Sequence, residues 1–144
     1  MHASLQTMDP HTPPPPRPVF GQTPPPAAPA AAAPAHRDAV VLTDAMFDTV
    51  VSGVPANVPL LVECWAEWCA TCKLLLPTIE LMARELKGRA IVATFNVDEN
   101  PVNAMKLGLR SMPTILVYRG GQLQAQLFGM QTKGKLLAAM GLTP

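Results

Sequence analysis

The sequence predicts an α/β fold, a central mixed β-sheet flanked by helices, carried behind a disordered Pro/Ala-rich N-terminal tail. Three observations predict it. From residue 38 onward, short apolar runs alternate with segments of helical period, the pattern of strands joined by crossover helices. A Gly-Gly pair separates the last two strand-like runs and marks a hairpin. Eleven of the seventeen prolines precede Ala35, so the first part of the chain lacks the means to form regular structure. The chain divides accordingly into a tail, residues 1–37, and one domain, residues 38–144.

The tail has almost nothing to bury, and is expected to be extended, rich in polyproline II and mobile. Its simplest role is a solvated tether; its PxxP spacings also fit a docking peptide for an aromatic groove. Past Asp38, Val40, Val41 and Leu42 form the first strand. Thr43 or Asp44 caps the helix that follows, with Met46, Phe47 and Val50 on its buried side and Gly53 after its end. Residues 54–59 are a loop, and LLVECW at 60–65 is a mostly apolar run, as in a strand buried on both faces.

A long helix follows Cys69. Leu75, Ile79, Met82 and Leu86 share one face, Gly88 stands at the C′ position, and Pro77 inside it predicts a kink. Residues 90–97 form another buried strand, and residues 98–108 a short helix with Pro101 at N1. Strands at 114–118 and 122–128 flank the Gly120-Gly121 turn, and residues 132–142 form the last helix. The order is βα-βα-βα-ββ-α. Crossover helices imply parallel pairs, and the hairpin adds an antiparallel edge.

Composition narrows the function. The net charge is +1, and from Asp38 onward basic and acidic residues balance, so nothing attracts a phosphate-rich partner and no nucleic acid is expected. Apolar runs fall short of the ~20 residues that span a bilayer, so no membrane role is expected. Three cysteines is an odd number for a framework of secreted bridges, and no secretory leader is evident; a cytoplasmic location is expected.

The chemistry gathers in CWAEWCATCKLLLP, residues 64–77, which holds all three Cys and both Trp. Three readings compete: a metal site, a redox dithiol, or cysteines packed as small hydrophobes. Cys69 lies just past a buried strand and opens the long helix. Unpaired amides and a partial positive charge at that terminus favour a thiolate. The C-x-x-C spacing sets Cys72 one turn on, within reach of a disulfide. Cys69, nearer solvent, is then the nucleophile and Cys72 the resolving thiol. A metal needs two further ligands, and besides Cys64 there are only His2, His11 and His36, all in the tail. Lys73 after Cys72 excludes a C-x-x-C-H haem attachment.

The run 60–77, with NVDENP at 96–101, RSMPT at 110–114 and RGGQ at 119–122, resembles thioredoxin over roughly residues 38–142. The resemblance implies a thioredoxin fold and reduction of disulfide-containing protein substrates. It implies regeneration by a thioredoxin-reductase-type donor, no cofactor beyond the Cys69–Cys72 pair, and a monomer. It makes Pro113 a cis proline beside the dithiol, where an ordinary trans turn proline is the plainer alternative. Met112 would pair its backbone with an extended substrate, and Trp68, Met112 and Gly129 would line a shallow apolar groove.

Glu63 sits in the apolar strand at a position usually Asp in the family. Burial raises its pKa and poises it to accept the Cys72 proton, directly or through water. A solvent-facing Glu at a frayed strand end is the alternative. Ala70-Thr71 replaces the usual Gly-Pro; a looser turn and a Thr71 hydroxyl bond to Cys69 sulfur would make the couple more oxidising. Thr94 stands where a Lys partner for the buried acid is common. Cys64 alternates with Glu63 and packs as a small hydrophobe on the opposite face. Met46, Met82, Met105 and Met140 are expected to fill the core, and Trp65 to anchor it. Two rival readings follow: a disulfide oxidase or isomerase of the cell envelope, and a non-enzymatic interaction module whose Pro-rich tail docks a partner.

Overall fold

The computed structural model describes residues 38–143; the expectations for the tail, including its three histidines, lie outside the described residues. In chain order the elements are β1 (Val40–Leu42), α1 (Phe47–Gly53), β2 (Leu60–Trp65), α2 (Ala70–Glu85), β3 (Ile91–Asn96), α3 (Pro101–Lys106), β4 (Thr114–Arg119), β5 (Gln122–Phe128) and α4 (Lys133–Ala139). The strands form one sheet in the order β1-β3-β2-β4-β5. Both β1 and β2 run parallel to β3, β4 runs antiparallel to β2, and β5 antiparallel to β4. The third helical connection therefore departs from the sequence expectation. α3 does not return the chain for a parallel pair, so the antiparallel part of the sheet comprises β4 as well as the edge.

Strand β2 lies inside the sheet between β3 and β4, and all six of its residues are buried. Its period-two alternation sorts them between two layers. Leu61 joins Val92, Ile115 and Val117 against Leu75, Ile79 and Met82 of α2 and Leu136 of α4. Leu60, Val62 and Cys64 join Phe95 and Leu116 against Phe47 and Val51 of α1 and Ala104 of α3. Each fully buried Leu or Ile contributes roughly 1.5–3 kcal/mol relative to exposure. Those two layers hold the β2–α2 corner in place.

The start of α1 is built otherwise than expected. Phe47 and Val51 are its buried residues, Met46 and Val50 are half-buried, and Gly53 is its last residue. No side chain caps it. The Asp44 carboxylate instead accepts from the amides of Val102 (3.0 Å) and Asn103 (2.8 Å), capping α3. Sequence proximity suggested the near helix; the fold presents the far one. α3 begins at Pro101 as expected, where a missing N–H costs nothing. The hairpin turns on Gly120 and Gly121, with φ of +54° and +79°, a conformation that side-chain-bearing residues rarely adopt. Pro77 is accommodated within α2, and Gly88 (φ +82°) turns the chain two residues beyond the cap Leu86.

Candidate active site

The site forms where β2 ends and α2 begins. Cys69 is the N-cap of α2, and its side chain takes the capping role that Ser or Asp usually fills. The Cys72 amide donates to Cys69 Sγ at 3.1 Å. Thr71 is exposed, and in this disulfide form the donor to that sulfur is the Cys72 amide and not the Thr71 hydroxyl. The amides of the first turn favour negative charge on Cys69, and the chain ahead of it is held by the Cys69 amide's bond to the Ala66 carbonyl.

Cys69 and Cys72 are joined in a disulfide with Cα atoms 5.3 Å apart. Cys69 is 6% exposed and Cys72 1%, so Cys69 is the outer of the two. Both pack on Trp65, with Met112 alongside. The Met112–Pro113 peptide bond is cis. The Pro113 carbonyl accepts from the Gly129 amide at 2.9 Å, and Gly129 takes φ +76°. The Thr114 hydroxyl bonds the Ser111 carbonyl and closes the loop before β4.

Beside the disulfide lies a groove of about 490 Å³. Trp68, Met112, Val97, Pro101, Met105 and Leu109 supply its apolar wall, and Asp98 and Arg110 its charges. Trp68 is 67% exposed. Gly129 is not among the residues that line this groove; its amide is bonded to the Pro113 carbonyl. Met105, expected in the core, is 82% exposed and forms part of the wall. Met82 and Met140 are core residues, and Met46 is half-buried. Sequence reasoning missed the α3 contribution because a short helix with one exposed Met carries too little periodicity to show which side faces solvent.

Glu63 is fully buried, and neither of its carboxyl oxygens has a hydrogen-bond partner. It lies on the face of the sheet that α2 covers, between Leu61 of the α2 layer and Trp65 beneath the cysteines. Burial, with a smaller effect from the Glu80 charge, pushes its pKa up to about 8. The solvent-facing alternative is thereby excluded. Cys64 is buried on the opposite face, and burial, then the Glu63 charge, pushes its thiol up. Among the described residues, no group of three or more His, Cys, Asp or Glu side chains is placed to hold a metal. Nor is any helix among them long and apolar enough to cross a membrane.

Two sulfurs bonded across a helix start, both buried and Cys69 the less deeply, give this α/β fold a disulfide at a strand–helix corner. The family model described as Thioredoxin matches residues 38–141. The chain is 41% identical to a thioredoxin of Rickettsia felis over 96 residues, which cover 67% of this chain and 90% of the relative. It is 38% identical to a thioredoxin of Alicyclobacillus acidocaldarius over 101 residues, 70% of this chain and 93% of the relative. Against a thioredoxin of Acidithiobacillus ferridurans it is 39% identical over 102 residues, again 70% and 93%. The chain belongs to the thioredoxin family. It is a thiol–disulfide oxidoreductase, reducing protein disulfides by dithiol–disulfide exchange.

Proposed function

We propose that exchange runs through the Cys69-Ala70-Thr71-Cys72 dithiol, with Cys69 as nucleophile. The single observation that carries the reading is the placement of Cys69 Sγ as the N-cap of α2, held by the Cys72 amide. In the reduced protein the Cys69 thiolate attacks one sulfur of a substrate disulfide. One S–S bond forms, the substrate's own S–S bond breaks, and its other sulfur leaves as thiolate. Cys72 then loses its proton to Glu63 and attacks Cys69. The Cys69–Cys72 bond forms, the mixed disulfide breaks, and the second substrate sulfur leaves and takes up a proton. Two electrons pass from the protein to the substrate.

Glu63 suits the proton step because its pKa of about 8 lies close to that of an ordinary thiol, ~8.5. Pro113 and Met112 shape the docking surface, Trp68 adds an exposed apolar wall, and Gly129 holds Pro113 in position. An extended segment of substrate would pair with the Met112 backbone. The partners are disulfide-containing proteins and a reductase-type donor that restores the dithiol. The protein works as a monomer in the cytoplasm, where a reducing milieu keeps these thiols free, and no metal or cofactor enters.

The test is insulin reduction by the full chain with a dithiol as electron source, coupled to a redox titration. Cys69→Ser abolishes turnover. Cys72→Ser keeps the first attack and stalls as a mixed disulfide. The potential falls nearer ~−270 mV, as in thioredoxins, than the ~−120 mV of a strong oxidant. Full activity in the Cys69→Ser variant, or a potential at the oxidising end, contradicts the reading.

A further inference from the structure

Glu63 is not the sole buried polar side chain on this face without a partner. Thr94 of β3 is fully buried as well, and its Oγ1 makes no hydrogen bond. The two residues are direct partners in the parallel register of β2 and β3. Such neighbours point to the same side of a sheet and lie about 4.8 Å apart. Val92, two residues before Thr94, packs in the same α2 layer as Leu61, two residues before Glu63, which places both orphaned groups under α2. Among the described residues, the remaining buried side-chain oxygen without a partner, the Tyr118 hydroxyl, belongs to the other layer and cannot serve either of them.

We propose that Thr94 is the positioning residue for Glu63: its hydroxyl is the hydrogen-bond partner of the Glu63 carboxyl, directly or across one water, in both protonation states. The inference deepens the reading of Glu63 as proton acceptor and rests on it. A hydroxyl has one donor and two acceptor sites and is free to rotate. When Glu63 is protonated, its O–H donates toward Thr94 Oγ1. When Glu63 is ionised, the Thr94 O–H turns and donates to the carboxylate. One carboxyl oxygen then keeps a partner as the proton arrives and leaves, whereas a fixed cation would serve the ionised form alone.

Other ionisable groups around Glu63 are few. From α2 come Glu80, whose charge acts to raise it, and the Cys69–Cys72 pair. β4 presents Ile115 opposite it, and α4 contributes the apolar Leu136, Leu137 and Met140 to this layer. Cys64 lies across the sheet and feels the Glu63 charge from there. Within this frame Thr94 is the in-register neighbour able to donate to the carboxylate.

Hydrogen bonds to a charged acceptor are roughly twice as strong as neutral ones, so the Thr94 contact favours the ionised form on balance. The experiment follows the Glu63 carboxyl by carbon-13 NMR of the full oxidised chain with labelled glutamate, assigned with Glu63→Gln. Thr94→Val keeps the shape and removes the hydroxyl; it moves the Glu63 midpoint upward by about one pH unit. Thr94→Ser restores the midpoint to within a few tenths of wild type. Thr94→Ala is a second hydroxyl-free variant if valine impairs folding, and moves it in the same direction. A midpoint unmoved by either hydroxyl-free variant, or moved as far by Ser as by Val, overturns the proposal. The underlying reading is judged separately. If Glu63→Gln leaves the pH profile of insulin reduction unchanged while Thr94→Val still shifts Glu63, the acceptor role fails, and with it the positioning role, while the hydrogen bond itself stands.

Discussion

At the residue scale, burial decides what Glu63 does to the fold. Its raised pKa means that the folded protein holds this proton between the ordinary carboxyl value, 4.5, and about 8, while the unfolded chain has already released it. Folded protein therefore binds more protons than unfolded in that window, and its stability falls as pH rises through it. Glu63→Leu removes the effect. We expect the variant to gain more in Tm at pH 8 than at pH 5, by an amount on the order of a few kcal/mol of unfolding free energy. Thermal melts across that range check it, and an equal gain at both values contradicts a buried, neutral carboxyl. Such a residue is retained at a cost in stability, as groups with a chemical task often are. The sequence displayed this residue clearly, because one carboxyl in LLVECW stands out. Thr71 shows the limit at the same scale: hydroxyl type does not fix orientation, and in the disulfide form Thr71 is exposed while the Cys72 amide donates to the Cys69 sulfur.

At the scale of elements, the strand and helix positions were legible because apolar period and turn glycines are local signals. What was not legible is long-range. Asp44 lies next to α1 in sequence but caps α3, 58 residues on. β4 runs antiparallel to β2 although a helix precedes it, since α3 is short and delivers the chain at the same end of the sheet. α3 also forms part of the groove beside the disulfide, so its capping bears on docking. Desolvation acts to raise the Asp44 carboxyl, but the Asn103 and Val102 amides outweigh it and hold the group below its usual value of 3.8. Its contribution is present at neutral pH and lost as pH falls through the folded-state value. Asp44→Ala is expected to lower Tm at pH 7 and weaken substrate docking, with little difference from wild type at pH 2. Hydrogen exchange of the Val102 and Asn103 amides shows the loss directly; unchanged protection of both contradicts the cap.

For the whole molecule, the family match begins at residue 38, and both apolar layers are built from residues after it. A chain of residues 38–144 is therefore expected to fold and to reduce insulin at a rate close to that of the full chain. Circular dichroism and the same turnover assay check this. Loss of activity on deletion of residues 1–37, with the cysteine pair dispensable, favours an interaction module instead.

The most direct test concerns the outer sulfur of the pair. In fully reduced protein, the rate of Cys69 alkylation by iodoacetamide, followed by mass spectrometry across pH, reports its thiolate fraction. Stabilisation by the first-turn amides of α2 predicts a midpoint at least one pH unit below the ~8.5 of free cysteine, with Cys72 titrating higher. A Cys69 midpoint matching free cysteine, with both thiols equally slow, contradicts the account.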